Sequence, residues 1–333
     1  MSQPRYDVAG IGNAIVDVLA RTDDDVLARL DVPKGAMMLI DEPRAETIYE
    51  AMAQTVEMSG GSAANTIVGC GMLGLSGAFI GKVKQDQLGH SFGHGMNAAG
   101  VHFPTARATT GPATARSFIL VTPDGERTMN TYLGAAQMLS PEDVDAETIA
   151  ASGVTYLEGY LWDPPAAKEA FLKAATIAHD AKRHVALSLS DAFCVDRYRD
   201  EFLSLIREKV VDIVFANEGE LKSLYQTADF ATALDALRAD ARLAIVTRGE
   251  EGALAVEGTT MVQAPAFPVD KVVDTTGAGD LFAAGFLAGF ARKLGHETSL
   301  RLGALCAAEV ISHMGARPEA NLKALAAENG IVL

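Results

Sequence analysis

A chain of 333 residues, 49% of them hydrophobic, has material for one large α/β core or a core carrying a smaller attachment. Its 28 basic and 43 acidic side chains leave a formal charge of −15, which argues against a nucleic-acid partner, since that would want a basic face, but still allows a nucleotide held by local amides. No apolar run reaches the roughly 20 residues of a membrane helix, Met1 to Tyr6 lacks the layout of a signal peptide, and the scattered Cys70, Cys194 and Cys306 suggest neither a disulfide framework nor a zinc site; the chain reads as soluble and cytoplasmic.

Tyr6 to Gly12 reads as a short buried strand ending in a glycine turn. It is not a dinucleotide fingerprint, because Ile15 stands where the third glycine belongs and the polar groups Asn13 and Asp17 follow instead. Val16, Val18 and Ala20 alternate with Asp17, Leu19 and Arg21 as in a half-exposed strand, and residues 36 to 41 form a second candidate. Two strands before any clear helix do not suit a β-α-β start, so they are expected in a small sheet projecting from the core. Pro43 to Gln54 reads as a helix. Gly60-Gly61-Ser62-Ala63-Ala64-Asn65-Thr66 then leads into a helical run from Ile67 to Leu73. Ala78 to Val83 is a core strand, and Asp86 opens a helix toward Ala99, on which His90 and His94 share a face. Without a His-Glu-x-x-His pattern, that face reads as solvated rather than metal-binding. Residues 113–122 and 127–133 form a hairpin about Pro123-Asp124-Gly125-Glu126.

From Ser140 onward strands and helices alternate, as in a doubly wound, mostly parallel sheet. Ser140-Pro141-Glu142-Asp143 is a helix start. The strands are expected at 154–157, 185–189, 213–216 and 243–247, with a helix from Asp163-Pro164-Pro165 to His179. Tyr160 and Trp162 lie just beyond a strand end, where open α/β sheets bind ligands, although packing is the simpler use of such rings. Ser188-Leu189-Ser190-Asp191-Ala192-Phe193 follows the second of these strands, Asn217-Glu218-Gly219-Glu220 the third, and Thr247-Arg248-Gly249-Glu250-Glu251-Gly252 the fourth, before a hairpin over 253–262. Then comes Asp274-Thr275-Thr276-Gly277-Ala278-Gly279-Asp280, running into an apolar helix. Gly277 and Gly279 let the backbone approach a ligand where first-turn amides point outward, which makes an anion site. An acid beside such amides is placed to take a proton from an attacking hydroxyl. Helices at 300–314 and within 318–327 close the chain.

The heptapeptide 274–280 resembles the Asp-Thr-x-Gly-Ala-Gly-Asp signature of the ribokinase-like (PfkB) carbohydrate and nucleoside kinases. Four further motifs fall in that family's order, so the resemblance covers essentially the whole chain. It implies an ATP-dependent transfer to an alcohol, with Asp280 as base and Gly277, Ala278 and Gly279 as anion hole. Asn13 and Asp17 would bind substrate hydroxyls, Gly60 and Gly61 would hinge a lid, and Asn65 would contact the sugar. Arg127 matches a lid arginine that closes on phosphates. Asn217, Thr247, Gly249, Gly252 and Thr275 would serve the nucleotide, while Glu220, also on the nucleotide side, would help organise Mg²⁺ through water; some members also bind K⁺. The small sheet, residues 14–42 and 107–134, would be the lid on a single kinase domain. The segment 188–193 resembles that of adenosine kinases, with Ser188 in place of Asn, and would put Phe193 in a nucleoside-base pocket.

The expected reaction is phosphorylation of a ribonucleoside 5′-hydroxyl, adenosine foremost. A sugar kinase acting on ribose, fructose or a related acid is the alternative, because Asp17 meets the same hydroxyls there, and a non-catalytic sensor is a reading from another class. Monomer and homodimer both remain open, since lid strands can cover substrate alone or pair between subunits.

Overall fold

The computed structural model describes residues 3–333, so the first two residues of the N-terminal segment considered above lie outside the described part. The strands, in chain order, are β1 (Tyr6–Ile11), β2 (Ile15–Arg21), β3 (Met37–Leu39), β4 (Thr55–Gly60), β5 (Gly77–Ile80), β6 (Ala115–Val121), β7 (Arg127–Tyr132), β8 (Ser152–Glu158), β9 (His184–Ser188), β10 (Ile213–Asn217), β11 (Leu243–Thr247), β12 (Ala253–Glu257) and β13 (Thr260–Ala264). An eight-stranded sheet has the order β13-β12-β11-β10-β9-β8-β1-β5. It is parallel from β5 to β11 and turns antiparallel only at the final hairpin. Its strands are near-continuous apolar runs because both faces are covered. The helices Ser62–Met72, Ala278–Ala291 and His296–Ile311 pack on one face, against Val8, Tyr156, Phe215 and Ile245. Pro165–Asp180 and Ala192–Arg207 cover the other, against Ile11, Leu157, Leu187 and Val214. The expected doubly wound α/β fold is therefore present.

Small residues in the helix Ala278–Ala291 have a packing reason. A Cβ on Gly285 would come within 2.6 Å of the Leu302 carbonyl, so a side chain there would force this helix away from His296–Ile311. Close backbone approach of this kind leaves the apolar helix fully enclosed except near its ends. Cys70, Cys194 and Cys306 are all buried with free thiols. Burial pushes all three thiols up, Cys194 and Cys306 to about 12.

A second, five-stranded sheet has the order β3-β7-β6-β2-β4. Val16, Val18, Phe118 and Leu120 point into the core from one of its faces. The period-two alternation then sends Ile15, Asp17, Ser117, Met129 and Thr131 to the opposite face, over a cavity. Several elements depart from the sequence reading. The helix expected to run to Gln54 stops at Ala51, and β4 follows, pairing antiparallel with β2 outside the ranges 14–42 and 107–134. A short helix, Asp24–Arg29, also stands between β2 and β3, a stretch to which the sequence reading assigned no element. At Ser140 the chain makes only a 3-10 turn with a capping box, and the α-helix begins at Ala146.

Candidate active site

The carboxyl ends of the parallel strands open into a cavity of about 700 Å³ roofed by the second sheet. Open α/β sheets place ligands at this edge because the loops leaving the strands splay there. Asn13 follows β1, Glu158 ends β8, Ser190 and Asp191 follow β9, and Asn217 and Thr247 end β10 and β11; all line the space. The cavity brings together Asn13, Asp17, Gly61, Asn65, Phe193, Asn217, Glu220, Thr247, Thr275, Gly277, Ala278, Gly279 and Asp280. Arg127, Gly60, Gly249 and Gly252, also singled out from the sequence, do not line it.

Asp280 sits in the first turn of Ala278–Ala291. Ser62 Oγ donates to its Oδ1 at 2.6 Å and Asn65 Nδ2 to its Oδ2 at 3.1 Å, so both oxygens are oriented by the first turn of Ser62–Met72. Burial pushes the Asp280 carboxyl upward, while Ser62, Asn65 and the positive charge of Arg317 oppose that rise. Gly277 is the N-cap in the left-handed region, φ 80°, and a Cβ there would also press on Ala316 at 2.9 Å. The Ala278 amide already donates to the Thr275 carbonyl at 3.2 Å. The amides of Gly279 and Asp280 therefore head the helix toward the cavity with its positive dipole end, where an anion is stabilised.

Asp17 reaches the cavity from the roof strand β2. Burial raises its carboxyl to about 6, with Arg317 and Arg127 pulling down and Asp280 pushing up. Gly60 stands behind it: a Cβ at that position would overlap the Asp17 carboxylate. Gly61 has φ 98° and would drive a Cβ into the Asn13 carbonyl. Both glycines are thus required by the close approach of substrate-facing groups, whatever hinging they also allow.

Glu158 escaped the sequence reading, although an acid closing the apolar run of β8 was an available signal. It is buried, accepts from the Asn13 amide at 3.3 Å and Asn13 Nδ2 at 2.7 Å through one oxygen, and from the Ala63 amide at 2.9 Å through the other. Burial raises it to about 7 against those bonds. With its amide nitrogen taken by Glu158, Asn13 leaves Oδ1 buried and unpartnered, and Asn65 Oδ1 is in the same condition. Unpaired buried acceptors of this kind cost about 1–3 kcal/mol each until a donor arrives. Ser62 was passed over as motif filler and Arg317 gave no signal at all.

Arg127 departs from its expected place. Its guanidinium is paired with Asp274, the first residue of the heptapeptide, and not directed into the cavity. Asp274 also accepts from the amides of Thr276 and Gly315, each at 2.9 Å. Burial would raise that carboxyl, but these bonds and Arg127 outweigh it and hold it below its ordinary value. Asn217 and Glu220 form a capping box, with Glu220 accepting from the Asn217 amide at 2.9 Å and from its Nδ2 at 2.5 Å. Burial raises Glu220 to about 7. Gly249 and Gly252 have positive φ beside this edge, and Gly252 fits because a side chain would strike the Ala264 carbonyl. Tyr160 lines the cavity, whereas Trp162 is buried with its Nε1 donating to Glu201. Phe193 stands at the rim, 77% exposed.

A model of the pfkB family carbohydrate kinases matches residues 36–323. The crystal structure of adenosine kinase from Sinorhizobium meliloti is 53% identical, covers 98% of this chain and 99% of its own, and superposes with a TM-score of 0.90. A probable sugar kinase from Rhizobium etli CFN 42 is 50% identical, with 99% and 100% covered and a TM-score of 0.92. An ATP-dependent ribose-1-phosphate kinase from Halopiger xanaduensis is 30% identical over 279 residues, 81% of this chain and 86% of that protein. With its two-sheet ribokinase-like architecture and the matched family model, the chain belongs to the pfkB family of carbohydrate kinases.

Proposed function

We propose that the protein transfers the γ-phosphoryl group of ATP to the 5′-hydroxyl of a ribonucleoside, with adenosine as the preferred acceptor. The observation that carries this reading is one cavity holding both halves of the chemistry. Asp280, oriented by Ser62 and Asn65 at the head of a helix, faces the same space as Asp17, Asn13 and Asn65, and the Oδ1 atoms of the two asparagines have no partner. A ribose diol donates two hydrogen bonds, which Asp17 and these amide oxygens can accept. The 5′-oxygen then attacks the γ-phosphorus in line, its proton passes to Asp280, and the bond to the leaving ADP oxygen breaks. Amides at the helix head stabilise charge on the moving group.

The residues present fit ATP, because Gly279 leaves open space around the helix head and Thr247 and Thr275 flank it. Magnesium would neutralise the phosphate oxygens; Glu220, its oxygens engaged by Asn217, would meet the ion through water. Asp274 is engaged by Arg127 and two amides, so a K⁺ ion beside the anion loop would depend on backbone carbonyls. For Arg127 to reach phosphates it must first leave Asp274. The second sheet, residues 14–42 and 107–134 together with β4, would act as the lid, excluding water as a competing nucleophile.

Adenosine is supported by the relative from Sinorhizobium meliloti and by the apolar roof, where Met37, Leu39 and Met129 face the cavity and offer a surface for a flat base. The probable sugar kinase at 50% identity favours the second reading, a free sugar as acceptor. No helix among the described residues is long and apolar enough to cross a membrane, and an ATP-dependent enzyme of this kind suits the cytoplasm. ADP release should be measured with adenosine, other ribonucleosides, ribose and fructose. Turnover of adenosine with a kcat/KM at least tenfold above that of any sugar supports the proposal, and a sugar as the better substrate overturns it.

A further inference from the structure

The segment Gly315-Ala316-Arg317 touches three separate parts of the site. Gly315 donates its amide to Asp274 at 2.9 Å, and Ala316 packs under Gly277, whose missing Cβ would lie 2.9 Å away. Arg317 crosses to the roof, donating from one terminal nitrogen to the Ser59 carbonyl at 2.6 Å and to Ser59 Oγ at 3.3 Å. Ser59 directly precedes Gly60, the glycine against which the Asp17 carboxylate lies. Among the described residues no carboxylate forms an ion pair with Arg317; its side-chain hydrogen bonds go to Ser59, and its Nε is shut off from solvent with no hydrogen-bond partner. Even so, Asp17 and Asp280 both feel its positive charge.

We infer that Arg317 is a positioning residue for phosphoryl transfer: it ties roof strand β4 to the anion loop and supplies the cation that balances the acceptor-binding and proton-accepting carboxylates together. This inference rests on the proposed kinase reaction. Two carboxylates facing one cavity repel, and a buried guanidinium near both, consumed by neither, lets them coexist as anions. Arginine suits the place because it stays protonated under desolvation; burial brings it down only to about 10, against attraction from Asp17 and Asp280. The other charges acting on this group are Arg127 from β7, which bears on Asp17, and Glu158 from β8, which is coupled to Asp280.

The test is the pH profile of kcat/KM for the acceptor that the wild type uses, measured in Arg317→Gln and Arg317→Lys, with thermal unfolding of both. In Arg317→Gln the acid limb should move upward by about one pH unit or more, with kcat/KM near neutrality falling at least tenfold. Arg317→Lys should keep the wild-type limb while KM rises, because the charge is retained and the bond geometry to Ser59 is not. An unmoved limb in a folded Arg317→Gln overturns the inference, as does a shifted limb in Arg317→Lys if the glutamine variant fails to fold. A wild type inactive on every acceptor tested would sink the kinase reading instead, which keeps the two failures distinct.

Discussion

Asp280 combines two environments that pull in opposite directions, burial that favours its neutral form and hydrogen bonds from Ser62 and Asn65 that favour the anion. A group balanced in this way takes up a proton readily when an alcohol offers one at the adjacent phosphoryl. Asp280→Asn should therefore lose about 10²–10⁴-fold in kcat while the variant stays folded and acceptor affinity changes little; turnover close to wild type would remove Asp280 from the role of base. Asp17 is raised by burial as well, with a consequence for stability. Its carboxyl is raised to about 6, so the native state binds a proton more tightly than the unfolded chain does. The favourable contribution is complete below the unfolded value near 4 and disappears as the pH rises through 6. Asp17→Asn should thus exceed the wild type in melting temperature by more at pH 8 than at pH 5. The same variant should bind adenosine about 10²-fold more weakly, since hydrogen bonds to a charged acceptor are lost. Calorimetry at both pH values, with and without adenosine, checks both halves. At Gly60 the space is already taken by Asp17, and Gly60→Ala should cost about 10²-fold in kcat/KM by displacing that carboxylate.

Among the elements, the parallel strands and their helices were the most legible, because apolar runs such as Val185-Ala186-Leu187 and Leu243-Ala244-Ile245-Val246 suit a sheet covered on both faces. Strand β4 was not, and the reason is physical. Its apolar residues Val56 and Met58 are the exposed ones, 60% and 37%, while Thr55 and Glu57 are partly covered, so the usual alternation is inverted at this edge. Motifs were legible where local chemistry was complete, as in 274–280 and 217–220. Glu158 and Arg317 act through partners more than a hundred residues away, Asn13 and Ser59, which no local pattern reveals. Arg127 shows the converse: its match to a lid arginine that closes on phosphates drew attention to it, whereas in the structure its partner is Asp274 and it does not line the cavity. The roof itself makes a prediction at this scale. Replacing Met37 and Leu39 together by serine should weaken adenosine binding about tenfold or more while leaving ribose binding nearly unchanged, as isothermal titration would measure; equal loss for both would argue against a base under the roof.

Taken whole, the molecule carries several carboxyls buried around one cavity. Glu158 and Glu220, raised by burial to about 7, add to Asp17 in making the native state hold protons that the unfolded chain releases. Stability of the ligand-free protein should therefore rise as the pH falls from 8 toward 6. Relief of repulsion within a net charge of −15 acts in the same direction. Flattening of the slope in Asp17→Asn and Glu158→Gln, measured by thermal unfolding, separates the site's contribution from that general term.

All three native thiols are enclosed and poorly ionised, which leaves the surface silent toward alkylating reagents. A cysteine installed at Leu39, on the rim of the roof, would be the lone fast-reacting sulfur in the folded chain. Its modification rate, followed as acceptor and nucleotide are added in turn, gives a direct clock for how often the mouth of the cleft is open.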